Sequence, residues 1–135
     1  MLTGWLDGLS YDLMFLFRPQ VVPEEVVLVE LDSESHARLG QTSDDKWDRT
    51  LHARLLSILS AAGARAVYFD IAFTSPARNP LEDAAFEASL RSNRIGVLAA
   101  RVKPSPLGVG GQIEAPIDSL RAAAPWGICE RSVTG

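Results

Sequence analysis

Apolar residues recur at helical spacing at the start of the chain. A helix is predicted over residues 1–18, on the stripe formed by Leu6, Leu9, Leu13, Leu16 and Phe17. Further apolar residues lie on its other sides, which is more apolar surface than a helix of an ordinary soluble domain carries. We therefore expect this helix to pack against a neighbour.

Residues 26–31 form a short, β-branched apolar run, the pattern of a strand that is covered on both faces. A short helix is predicted from about residue 34 to residue 39, closed by Gly40. The next helix follows a polar loop and ends at Gly63. Its predicted core-facing stripe consists of Leu51, Leu55, Ile58, Leu59 and Ala62.

The second half of the chain repeats this order of elements. Residues 67–71 predict a second strand, and the helix after it begins with Asn79 as N-cap and Pro80 in the first turn. Glu82 is placed for a capping box. The apolar positions of this helix are Leu81, Ala85, Phe86, Ala88 and Leu90. Residues 94–100 then predict a third strand.

The remaining residues predict one more pair of elements. Residues 101–116 are rich in Pro and Gly and indicate either a long connection or a flexible hairpin. Residues 117–124 predict a further short helix, and residues 126–130 begin a fourth strand. Because this pattern stops where a further element should follow, we expect the sheet to be incomplete at its C-terminal end.

Strands that alternate with helices at this spacing indicate βαβ crossovers. The predicted fold class is α/β, with three layers and a mainly parallel sheet of three to four strands carrying helices on both faces. The predicted organisation is an N-terminal helix, residues 1–18, followed by one α/β domain, residues 19–135.

Composition narrows the classes of function. A chain of 135 residues with 47% hydrophobic residues can bury one core. A net charge of −4, with acids and bases interspersed, offers no basic surface for a nucleic acid. Cys129 is the only cysteine, which excludes an intrachain disulfide and a Cys-rich zinc site. The apolar runs are far shorter than the ~20 residues that cross a bilayer.

Acidic residues follow the first two predicted strands. Because the carboxyl ends of parallel strands share one edge of a sheet, Asp32 and Asp70 could lie together there and, with Glu34, bind Mg²⁺ beside a phosphate. Alternatively, Asp32 and Ser35 belong to a cluster that caps the next helix. Asp70 lies in a segment that should be largely buried, where a carboxylate needs hydrogen-bond partners.

Other polar residues carry weaker signals. His36 and His52 lack a ligand partner at helical spacing, so we expect exposed or hydrogen-bonded histidines rather than metal ligands. Arg49 and Trp47 precede a helix and could hold an anionic ligand or a partner surface. Alternatively, Trp47 anchors the loop and Arg49 is a solvated charge. The glycines of residues 108–111 fit no phosphate-binding motif, and no standard catalytic motif is present.

Taken in order, these segments resemble the second family of CHASE domains, the extracytoplasmic sensory domains of bacterial adenylate cyclases, histidine kinases, diguanylate cyclases and serine/threonine kinases. The resemblance runs through "YDLMFLFR", "VVLVELDSES", "WDRTLHARLLSILSAAGARAVYFDIAF" and "LEDAAFEASLRSNRIGVLAA", covering about residues 10 to 100. The chain departs from the family in having no proline in "SDDKWDR".

The resemblance implies a non-catalytic sensor on the extracytoplasmic side of a cell membrane. It would bind an unknown small-molecule ligand and pass the signal through flanking transmembrane helices to a cytoplasmic kinase or cyclase. The domain could also form a homodimer. No cofactor, metal or nucleic acid is implied. Asp32, Ser35, Arg49 and Asp70 match recurrent positions of the family and are the candidate ligand-binding residues.

Two other functions stay open from the residues alone. One is a Mg²⁺-dependent phosphoryl-transfer or hydrolase domain that uses Asp32, Glu34 and Asp70. The other is a structural or oligomerising domain in which the first helix is the partner surface.

Overall fold

The computed structural model describes residues 25–41, 46–105 and 110–128. The chain separates into two compact units, residues 1–32 and residues 33–135. The predicted helix over residues 1–18 lies outside the described residues. Within the described ranges, no helix has the length and apolar character needed to cross a membrane.

In the first unit, the strand predicted over residues 26–31 is wrong. These residues adopt no regular secondary structure, and the side chains of Val27 and Leu28 are 82% and 79% exposed. A strand forms when its N–H and C=O groups pair with a neighbouring strand. Among the described residues no strand pairs with this run, so its β-branched composition alone does not make it a strand.

The second unit contains the helices and strands of the described residues. In chain order they are α1 (Ser33–Arg38), α2 (Arg49–Ala61), β1 (Val67–Ala72), α3 (Pro80–Asn93), β2 (Gly96–Pro104), β3 (Gly111–Glu114), α4 (Asp118–Arg121) and β4 (Trp126–Ile128). Gly40 follows α1 with φ +61°, as expected of the residue that closes a helix.

The sheet confirms the α/β class. β2 pairs in parallel with β1 and with β4, and in antiparallel with β3. The parallel arrangement is therefore confirmed for three strands, while β3 makes the sheet mixed. Residues 101–104 continue β2 because they pair with β3, so the segment after the third predicted strand is a hairpin rather than a long connection.

One apolar cluster joins the helices to the sheet. Its buried members are Leu56, Phe69, Phe73, Phe86, Leu90, Leu98, Leu120 and Ala124. α2 and α3 bury opposing side chains in it, Leu56 from α2 and Phe86 from α3. The cluster accounts for one helical layer against the sheet, and the second predicted layer stays a prediction.

The apolar stripe predicted to face the core from α2 is wrong. The buried residues of α2 are Arg49, His52 and Leu56, whereas Ile58, from the predicted stripe, is 55% exposed. Residues spaced by three and seven positions share one side of a helix. Arg49, His52 and Leu56 follow that spacing, so the core-facing side of α2 contains two basic side chains.

The start of α3 follows its sequence signals. The Asn79 side chain accepts a hydrogen bond from the Leu81 backbone N–H at 3.0 Å, and Pro80 occupies the first turn. Of the apolar positions of this helix, Phe86 and Leu90 are buried, whereas Leu81 is 73% exposed. It lies in the first turn of the helix, away from the buried cluster.

Gly96 lies where β2 passes beneath the two packed helices. A Cβ atom added there would come within 2.5 Å of Leu90 Cδ2 and 3.5 Å of Leu56 Cδ2, and both leucines are fully buried. Gly96→Ala is therefore expected to lower the free energy of unfolding by about 1 to 3 kcal/mol, because overpacking displaces buried side chains. Urea denaturation, with an unchanged slope, measures this loss.

Gly127→Ala is the matched control for that substitution. It lies on the neighbouring strand β4, where nothing stands within 4 Å of an added Cβ, and should change stability by no more than about 0.5 kcal/mol. Equal effects of the two substitutions would contradict the proposed overpacking at Gly96.

Candidate functional site

Arg49, the first residue of α2, is the most deeply placed charge of the described residues. It is 6% exposed. Its Nη2 donates to the Ser75 carbonyl oxygen at 2.5 Å, and its Nη1 forms an ion pair with Asp83 of α3. The guanidinium carbon lies 5.1 Å from the centre of the Phe73 ring. Arg49 therefore joins α2 to α3 and to the loop that follows β1.

Two acidic residues in the first turn of α3, Glu82 and Asp83, accept hydrogen bonds from Arg49. The second carboxylate oxygen of Asp83 accepts from the Ala77 backbone N–H at 3.0 Å, so one carboxylate bridges Arg49 and the loop. Glu82 accepts from the Arg49 backbone N–H at 3.3 Å. The capping box predicted for Glu82 is thus wrong, because its carboxylate reaches the start of α2 instead of its own helix.

His52 lies one turn after Arg49 and is 4% exposed. Its ring contacts three phenylalanine rings, those of Phe69, Phe73 and Phe86, at centroid distances of 6.1, 5.5 and 5.9 Å. The pKa of His52 is lowered to about 4, mainly by burial and also by the positive charge of Arg49, while Asp48 partly offsets these effects. The neutral imidazole is therefore the form that this aromatic site accommodates.

A second contact anchors the segment before α2. Trp47 Nε1 donates to His36 Nε2 at 2.8 Å, and the Gln41 side chain accepts from the Asp48 backbone N–H at 2.9 Å. His36 Nδ1 is buried and has no partner among the described residues. Of the two interpretations of Trp47, the loop anchor agrees with this geometry.

The predicted site residues occupy different environments. Arg49 is buried, so its interpretation as a solvated charge is wrong. Asp70 was expected to be largely buried but is exposed. Its neighbour Phe69 is buried, and successive residues of a strand point to opposite faces of the sheet. Ser35 is half-buried in α1, where its carbonyl oxygen accepts from the Leu39 N–H at 3.0 Å.

The remaining candidates concern the Mg²⁺ hypothesis. Asp32 belongs to the first unit and Asp70 to the second, and each is described only within its own unit. Glu34 forms an exposed ion pair with Arg38, at 2.7 Å. Within residues 25–41, 46–105 and 110–128, no group of three His, Cys, Asp or Glu residues is arranged to hold a metal ion. Nothing in this geometry favours the phosphoryl-transfer alternative.

Sequence reasoning missed the two acidic groups that hold Arg49. Glu82 and Asp83 begin a helix, where acidic residues are common because they suit its positive end. They follow Arg49 by more than thirty residues, and nothing in the sequence indicates that they contact it. The loop carbonyl of Ser75 has no sequence signature at all.

Comparison with known protein families identifies the family of this chain. The family model described as the CHASE2 domain matches residues 1–128. The chain belongs to the CHASE2 domain family. No curated protein and no solved structure matches it.

CHASE2 is a family of extracellular sensory domains found in signalling proteins, and it is a sensor family rather than a catalytic one. In this CHASE2 domain, Arg49, Asp83, Ser75 and Ala77 form one cluster, the Arg49 cluster. The guanidinium, the Asp83 carboxylate and the loop groups are engaged with one another. Such a cluster fixes the relative positions of two helices and a loop rather than presenting a reactive group.

Breaking the buried ion pair tests the importance of Arg49 for this CHASE2 fold. Asp83→Asn is expected to lower the free energy of unfolding by about 3 to 5 kcal/mol, because it leaves the Arg49 charge buried without a counter-charge. Glu34→Gln makes the same acid-to-amide change in the exposed pair with Arg38 and should cost less than about 1 kcal/mol. Denaturant unfolding of both variants gives the comparison. Similar losses would contradict a special role for Asp83.

The lowered pKa of His52 predicts a pH dependence of stability. Because the pKa is lower in the folded state, the unfolded chain binds the proton first as the pH falls below about 6.5. Stability is therefore complete above that pH and decreases toward pH 4, by about 3 kcal/mol at most. Unfolding at several pH values in this window should show a smaller decrease for His52→Leu than for the wild type. Identical slopes would contradict the assignment.

Proposed function

We propose that this chain is the signal-input domain of a bacterial membrane-bound signalling protein. It would lie on the extracytoplasmic side of the cell membrane, sense a stimulus not yet identified, and pass the signal through flanking transmembrane helices to a cytoplasmic kinase or cyclase. The observation that carries this proposal is the match of residues 1–128 to a family of extracellular sensory domains.

The candidate residues divide into two roles under this proposal. Asp70 is exposed on β1, beside an irregularity in the strand pairing. It is therefore better placed than Arg49 to meet a small-molecule ligand. Arg49 is enclosed by the protein's own groups and would hold the neighbouring loop in position. Asp32 and Ser35 remain candidates for the ligand site.

Labelling in intact cells tests the location. Ala88 is exposed on α3, so Ala88→Cys in a Cys129→Ser background introduces one accessible thiol into the full-length protein. A membrane-impermeant maleimide is expected to label this thiol in intact spheroplasts as fully as in lysed ones. The Cys129→Ser protein without the new cysteine is the control for background labelling. Labelling that requires lysis would place the domain in the cytoplasm and overturn the proposal.

A further inference from the structure

Loop 73–79, which connects β1 to α3, supplies one of the three rings that contact the buried His52. Of the three rings that contact His52, Phe69 lies in β1 and Phe86 lies in α3. Phe73 lies outside any helix or strand, at the start of the loop. A segment with no regular secondary structure opens at a lower free-energy cost than packed helices and strands do. The loop is therefore the part of the His52 surroundings that can move.

Side chains bind this loop at Ser75, Pro76 and Ala77. Arg49 Nη2 donates to the Ser75 carbonyl, Asp83 accepts from the Ala77 N–H, and Lys46 Nζ donates to the Pro76 carbonyl at 3.3 Å. A fourth contact is between backbones, from the Ile117 N–H to the Phe73 carbonyl at 2.9 Å. Two of the three side-chain contacts belong to the ion pair between Arg49 and Asp83, so the loop is held by charges next to His52.

The charges around His52 come from the two packed helices. Arg49 and Asp48 belong to the first turn and the N-cap of α2. Glu82 and Asp83 of α3 are directed to Arg49, the former to its backbone and the latter to its side chain. β1 contributes the Phe69 ring, while its acidic residue, Asp70, is exposed.

A proton on His52 would add a second positive charge beside Arg49 in a site lined by three aromatic rings. Desolvation and the Arg49 charge both oppose that proton. Exposure of the ring to water removes the desolvation penalty and screens the repulsion from Arg49. Protonation therefore favours whichever conformation exposes His52.

We propose that His52 is the proton acceptor of an acid-sensitive latch, in which protonation releases loop 73–79 from Arg49 and α3 while the helices and parallel strands stay folded. The latch is a property of the domain itself and does not depend on which output protein follows it. It gives the domain a response to acid outside any ligand site.

The size of the response follows from the two protonation states of His52. With a pKa of about 4 in the closed state and an ordinary value in the open state, the equilibrium constant for opening rises by about a hundredfold between pH 7 and pH 4. Neutral pH keeps the loop closed, and acid increases the open population.

Amide hydrogen exchange measured by NMR tests the latch. The Ala77 N–H, which donates to Asp83, reports on the loop. The Ala62 and Arg94 N–H groups, which donate to Ile58 and Leu90, report on α2 and α3. After correction for intrinsic exchange rates, the protection of Ala77 is expected to fall about a hundredfold from pH 7 to pH 4, while the two helix amides remain protected.

Two substitutions separate His52 from the other titrating groups. His52→Leu should retain most of the Ala77 protection at pH 4, because no proton can be added at that position. His36→Gln removes the other histidine of the chain and should leave the acid response of Ala77 unchanged. If Ala77 loses protection equally in His52→Leu, a carboxylate such as Asp83 is the trigger and the proposal is wrong.

The wild-type protein supplies a measurement that does not depend on a stable variant. The NMR signal of the His52 ring Cε1–H should titrate with a midpoint near pH 4 in the mostly closed protein, while the loss of Ala77 protection should begin below about pH 6.5. A His52 signal that already titrates near pH 6.5 while Ala77 is still protected would overturn the proposal, because the closed loop would then not oppose the proton. Simultaneous loss of protection at Ala77, Ala62 and Arg94 would also overturn it, because that result describes global unfolding.

Discussion

Arg49 carries a full positive charge into a site where only 6% of the residue is exposed, and this charge constrains everything packed around it. A buried charge is tolerated when a counter-charge and hydrogen-bond acceptors compensate for lost water. Asp83 supplies the counter-charge and Ser75 supplies a carbonyl oxygen. These groups come from three separate segments, so the start of α2, the loop after β1 and the start of α3 are fixed together. Leu56 of α2 and Phe86 of α3 lie in the same buried cluster.

Local chemistry made some elements predictable from the sequence. Asn79 and Pro80 begin a helix because a side-chain acceptor and a fixed φ suit its first turn, and Gly40 adopts the positive φ that follows a helix. The α/β order could likewise be read from the alternation of apolar patterns. Each of these signals depends on neighbouring residues alone.

Long-range compensation made the candidate site unpredictable. α2 has two stripes, one formed by Leu51, Leu55 and Ile58 and one by Arg49, His52 and Leu56, and apolarity favours the wrong one. Arginine and histidine are rarely buried, and here they are buried because Asp83 and three phenylalanines come from elsewhere in the chain. Asp70 is exposed because it lies next to the buried Phe69 in β1, and successive strand residues point to opposite faces.

The exposed run at residues 26–31 has a consequence for handling the protein. Six residues rich in valine and leucine, without proline or glycine, have the composition of segments that assemble between chains into cross-β structures. The acidic residues Glu25, Glu30 and Asp32 lie within or beside this run and repel a second copy, as gatekeeper charges do. The solubility of the isolated chain therefore depends on three carboxylates that contribute little to its core.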